Sequence, residues 1–115
     1  MSKKGEAGEA VAASFLEKRG VKILEKNFRS HIGEVDIIAL DGEILIFVEV
    51  KAWSSFGIES LEYALDAKKQ HKIIETSKYF LSFHREYKYM AIRYDVIFVS
   101  PVEITHLASA FTESV

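Results

Sequence analysis

The chain has 115 residues, 49% of them hydrophobic and 28% charged, which suits one domain with its own core, taken as residues 1–115. Its formal net charge of −2 lacks the basic excess usual in nucleic-acid binders. The absence of cysteine excludes disulfides and thiolate metal sites. No apolar run approaches the ~18 residues that cross a bilayer, and Met1 to Glu6 lead into an acidic, alanine-rich segment without the apolar core of a secretion signal. A cytoplasmic protein with no membrane partner is expected.

Gly5 to Arg19 reads as a helix, with Gly8, Ala12, Phe15 and Leu16 on one stripe and Gly20 as the stop. Val21 to Phe28 alternates loosely, as a first strand. Glu34 to Leu40 and Glu43 to Lys51 are β-rich runs around Asp41-Gly42, a strong hairpin signal. Trp53 to Gly57 reads as a loop. Ile58 to His84 carries helical periodicity, with Ile73, Ile74, Ser77, Phe80, Leu81 and His84 on the apolar face and a break around Asp66-Ala67. Ala91 to Val99 and Val102 to Leu107 are the last strands, on either side of Pro101. The order α-β-β-β-α-β-β predicts an α/β fold, a mixed sheet flanked by helices.

The hairpin carries the chemistry. Alternation puts Leu45, Phe47, Glu49 and Lys51 on one face of the second strand, and Glu34, Asp36, Ile38 and Leu40 on one face of the first. An Asp41-Gly42 turn pairs Leu40 with Glu43, which sets Asp36 opposite Phe47 and Glu34 opposite Glu49. Asp36 and Glu49 then become diagonal neighbours ~7–8 Å apart. Three carboxylates on one face repel one another, and the single lysine, Lys51, cannot neutralise them. A hard cation such as Mg²⁺ can. The plainer reading makes Glu49 and Lys51 a solvent-exposed ion pair worth ~0–1 kcal/mol, and from these residues alone both stand.

Gly33-Glu34-Val35-Asp36-Ile37-Ile38-Ala39, followed by Phe47-Val48-Glu49-Val50-Lys51, resembles the PD-(D/E)xK nuclease signature. More narrowly it resembles the YraN-like family of predicted endonucleases, relatives of the archaeal Holliday-junction resolvases. Gly8-Glu9, Asn27-Phe28-Arg29, Phe56-Gly57, Lys69-Gln70, Arg93-Tyr94-Asp95, His106 and Ala110-Phe111 extend the likeness along the chain. The resemblance implies a restriction-endonuclease-like fold in which Asp36 and Glu49, with the Val50 carbonyl, bind Mg²⁺ or Mn²⁺. Lys51 would be the catalytic lysine, with Glu9 and Glu34 as further acids and Lys69 and Gln70 touching nucleic acid. Helical geometry puts Glu9 ~60° from Ala12, beside the apolar stripe, although a solvated glutamate at a helix start is an equally good account of it. Trp53 stands where the family commonly has arginine, and it either stacks on a base or covers the core.

The activity implied is metal-dependent hydrolysis of DNA phosphodiesters, at branched or damaged structures, and RNA fits the same chemistry. The rival expectation is a catalytically silent nuclease-fold protein that binds nucleic acid or serves as an accessory protein. A homodimer through Val102 to Phe111 is left open. His31, His71, His84 and His106 lack metal-ligand spacing, which argues against zinc. Lys68 and Lys72 read as a solvated helix face.

Overall fold

The computed structural model describes residues 3–52 and 65–113. Its elements are α1 (Lys3–Lys18), β1 (Lys22–Arg29), β2 (Glu34–Asp41), β3 (Ile44–Ala52), α2 (Ala67–Phe83), a 3₁₀ turn (Arg85–Tyr87), β4 (Ala91–Val99) and β5 (Ile104–Phe111). The expected order and fold class are observed: five strands in the order β1-β2-β3-β4-β5, with helices packed on the sheet. The β3–β4 pairing is parallel and the other three are antiparallel. A parallel pair needs a crossover, and α2 lies on that connection. Among the described residues, no helix is long and apolar enough to cross a membrane.

Strand alternation divides the core into two layers. Ala12, Ala13 and Leu16 of α1 pack on Ile37, Ala39, Ile46, Val48, Ile97 and Val99. On the other face Ile73, Ile74 and Phe80 of α2 pack on Ile38, Leu45, Phe47, Tyr94, Val96 and Phe98. The stripe assigned to α1 is therefore displaced slightly: Phe15 is only partly buried, while Ala13 is buried. The end of α1 is closed by Val21 N–H donating to the Leu16 carbonyl and Gly20 N–H to that of Glu17, the paired bonds of a Schellman cap.

Two boundaries, the hairpin turn and the end of β5, depart from expectation, while α2 begins at the expected break. The hairpin turn is Gly42-Glu43 rather than Asp41-Gly42, with Asp41 opposite Ile44 and Leu40 opposite Leu45. Gly42 takes a φ of 61° at the first turn position, where a II′ turn calls for glycine. The register moves by two residues, so parity survives, and continuing it brings Asp36 directly opposite Glu49 instead of Phe47. Helix α2 starts at Ala67, capped by Asp66, whose carboxylate accepts the Lys69 N–H at 2.9 Å. The part of the expected helical run before that break, from Ile58 with its helix-like start near Leu61, and the Trp53 and Phe56-Gly57 loop lie outside the described residues. Strand β5 runs on to Phe111, past the expected end at Leu107, because a bulge beside Asp95 carries it around to stack Phe111 on Tyr94 at 5.1 Å.

Candidate active site

The β2–β3 ladder reaches as far as Ile37 opposite Val48. Beyond it the Asp36 carboxylate accepts the Val50 N–H at 2.8 Å. Alternation breaks at this point too, since Val35 packs in the α2-side layer although Ile37, two residues on, belongs to the α1-side layer. The irregularity opens a cleft of about 350 Å³ at the end of the sheet, lined from α1 by Gly8 and Glu9, from β2 by Glu34 and Asp36, from β3 by Glu49, Val50 and Lys51, and from α2 by Lys69 and Lys72.

The acids divide into two sets that share Asp36. Oxygens of Glu9, Glu34 and Asp36 lie within 4.8 Å of one another, and Asp36 also hydrogen-bonds the Glu49 carboxylate. Burial, and then the charge of Glu49, push the Asp36 carboxyl up to about 8 from its ordinary 3.8, against the pull of the Val50 N–H. Glu9 is only 7% exposed. Burial raises its pKa as well, the Asn27 side chain opposes that by hydrogen bonding, and Glu34 adds to it.

Two lysines meet the acids at Glu49. The Nζ of Lys51 lies 3.2 Å and that of Lys69 3.5 Å from the same Glu49 oxygen, Oε2. Burial and the hydrogen bond with Lys69 lower the Lys51 pKa. Burial works against the charge on Lys69 as well, but the bond to Lys51 and the charge of Glu49 raise it. A lysine with a depressed pKa can take a proton as well as hold a charge.

Of the residues singled out from sequence, Glu9, Glu34, Asp36, Glu49, Val50, Lys51 and Lys69 line one cleft. Gln70 does not line it; its amide donates to the Leu65 carbonyl at 3.0 Å. Glu34 is shared with Arg29, 3.3 Å away. Lys72, expected on a solvated face, lines the cleft, and its spacing of three from Lys69, one helical turn, is the signal that points to it. Asn27 was not singled out for chemistry. It takes a φ of 56° between the Lys26–Ile37 and Phe28–Val35 pairs, the position across from Asp36. A left-handed residue in a strand suits asparagine, and its buried Oδ1 has no hydrogen-bond partner among the described residues.

The sequence profile of an uncharacterised protein family, UPF0102, matches residues 8–99. Among similar proteins, a UPF0102 protein of Treponema denticola is 42% identical over 96% of both chains. One from Persephonella marina is 41% identical over 94% of this chain and 92% of its own, and one from Clostridium perfringens is 42% identical over 90% and 89%.

Proposed function

We propose that this chain, which belongs to the UPF0102 family, is a nuclease of the PD-(D/E)xK kind that hydrolyses DNA phosphodiesters with the help of a divalent cation. The single observation behind this reading is the meeting of Asp36, Glu49 and Lys51 in one cleft, with Glu9 and Glu34 completing the acid cluster. The donor set fits Mg²⁺ or Mn²⁺, since the carboxylates of Glu9, Glu34, Asp36 and Glu49 offer oxygen ligands. An Asp36 held protonated to about 8 belongs to a cluster with one negative charge too many for its surroundings, and a cation relieves that excess. Asp36, Glu49 and the Val50 carbonyl would hold the ion, with Glu9 and Glu34 beside Asp36. When bound, it would polarise a phosphoryl oxygen and make a neighbouring water more acidic.

The chain's own groups account for the rest of the proposed reaction. Lys51, fixed by Glu49, orients the attacking water in line with the scissile bond, takes up its proton or stabilises the charge growing on phosphorus. Lys69 and Lys72 hold the flanking phosphates from α2. The compartment proposed with this activity is the reducing cytoplasm.

The deciding experiment is cleavage of linear, flapped and four-way DNAs, and of RNA strands, with Mg²⁺ or Mn²⁺, using Asp36→Asn and Lys51→Ala as controls. The wild type should cut at least one DNA, and each variant should lose about 100-fold or more in rate. Equal cutting by wild type and both variants would overturn the proposal.

A further inference from the structure

The walls of the cleft come from separate elements, and Glu34 is the acid whose place is least fixed by the sheet. Beyond Ile37, β2 has left the β3 ladder. Asp36 is tied back to β3 by the Val50 N–H. Glu34 is paired instead with Arg29 of β1, an edge strand. Its ion pair with the same Arg29 is exposed and holds it weakly. The position of the Glu34 carboxylate therefore follows that of its backbone, and its backbone leaves directly from the 30–33 loop.

That loop is knotted by Ser30 and seated on α2. The Ser30 Oγ accepts the N–H groups of Ile32 at 3.0 Å and Gly33 at 3.2 Å, while the Ser30 N–H donates to the Gly33 carbonyl at 2.8 Å. The Thr76 hydroxyl of α2 lies 3.1 Å from the same Oγ, nearer than the Gly33 carbonyl at 3.4 Å. Thr76 is fully buried, where a hydroxyl needs a partner and a valine would fill the same space without one. Gly33 makes the contact close. A Cβ there would lie 3.2 Å from the Lys72 Cβ and 3.4 Å from the Thr76 Oγ1, so a side chain would force loop and helix apart by a few tenths of an ångström. One turn before Thr76, α2 supplies Lys72 to the cleft, and one residue after Gly33, β2 supplies Glu34. The contact thus sets one wall against the other.

We infer that Thr76 is a positioning residue: through Ser30 it holds the 30–33 loop on α2 and keeps Glu34 at the acid cluster, without itself lining the cleft. The inference rests on the cation site of the proposed function. It adds a buried hydroxyl that governs how tightly the cation is held.

The test is uptake of Mn²⁺ alone by the full chain, measured by calorimetry beside urea unfolding. Thr76→Val keeps the shape and deletes the hydroxyl, and it should bind Mn²⁺ about 10-fold more weakly, the scale of effect when a group that orients ligands is lost. Thr76→Ser keeps the hydroxyl and gives up a buried methyl. It should unfold at lower urea yet bind Mn²⁺ as wild type does. A purely structural Thr76 would make affinity follow stability instead. Gly33→Ala, which wedges the contact with both hydroxyls intact, should also weaken Mn²⁺, and it decides the matter should the valine variant fail to fold. In a Glu34→Gln background, Thr76→Val should change the affinity by less than about 2-fold, because the acid through which it acts is already gone. Wild-type affinity in Thr76→Val, or in Gly33→Ala if the valine variant does not fold, overturns the inference and leaves the cation site standing. So does an equal loss with and without Glu34. Wild type that takes up no Mn²⁺ overturns the cation site and this inference with it. Uptake that depends on Thr76 in a protein that cuts no DNA or RNA would sink the nuclease reading and keep the latch.

Discussion

Two aspartates of one sheet, Asp36 half-buried and Asp95 buried, meet opposite conditions. Asp95, on β4, is fully enclosed. It accepts from Arg93 at 2.9 Å and from the Ser109 N–H at 2.9 Å, and it lies 2.8 Å from His106 Nε2. Burial alone would lift its pKa, but His106, Arg93 and Ser109 outweigh burial and hold it below the ordinary value. Asp36, on β2, receives the Val50 N–H, but burial and the charges of Glu49 and Glu9 outweigh it, and its pKa rises to about 8. A buried carboxylate with all its partners supplied by the chain is a structural clasp. One left among like charges is where the proposed cation would bind, and that contrast separates the candidate site from the scaffold.

The sharpest way to break the comparison is to treat the two aspartates alike. Asp36→Asn should cost about 100-fold or more in cleavage of a susceptible DNA while leaving the protein folded by circular dichroism. Asp95→Ala should do the reverse in character, costing about 2–4 kcal/mol in urea unfolding because Arg93, His106 and the Ser109 N–H lose their shared acceptor. A Cm for Asp95→Ala within error of wild type would remove the structural role assigned to it.

Most of this contrast was half visible in the sequence. Alternation along Glu49-Val50-Lys51 puts Glu49 and Lys51 on one face, and parity survives the two-residue change of register that brings Asp36 to them. The register itself was misread: the choice between Asp41-Gly42 and Gly42-Glu43 depends on which turn position Gly42 occupies, and both dipeptides allow a tight turn. The Val35 irregularity and the left-handed Asn27 were beyond reach, since they arise where β2 leaves its ladder and no local pattern announces that. The Asp95 clasp joins Asp95 to His106 and Ser109 across a bulged β4–β5 pairing. Bulge positions depend on tertiary packing rather than on neighbouring residues. The resemblance drew Arg93-Tyr94-Asp95 and His106 together without saying that they touch.

A pH-dependent effect sharpens the comparison from the side of stability. With its pKa raised from 3.8 to about 8, Asp36 favours the folded state fully below about pH 4, and that contribution drains away as pH rises through about 8. Asp36→Asn cannot ionise and escapes the loss. In EDTA the variant should therefore match wild type near pH 4 and exceed it by several kcal/mol, at most about 6, above pH 8, read from urea titrations. Saturating Mg²⁺ should raise wild type by an amount that grows as RT ln(1 + [Mg²⁺]/Kd) and leave the variant nearly unmoved. A variant less stable than wild type at pH 9 in EDTA would mean the carboxylate is needed by the fold, and the distinction drawn from Asp95 would fail.

The smallest effect lies on the acid side and belongs to Asp95. Its folded pKa lies below the ordinary 3.8, so its ionised form stabilises the fold fully above about pH 4, and that stability is lost as pH falls through the depressed value. Asp95→Asn keeps the shape of the group but has no charge to lose. Below about pH 4 the variant should lose stability less steeply than wild type, by roughly 1 kcal/mol between pH 4 and pH 2. It should start lower at neutral pH, where the bonds to Arg93 and His106 are no longer charge-assisted on the acid side. Parallel stability curves for wild type and Asp95→Asn across that window would show that the clasp is held by geometry alone, with the charge contributing nothing. Asp36 would then be the only one of the two whose ionisation the fold registers.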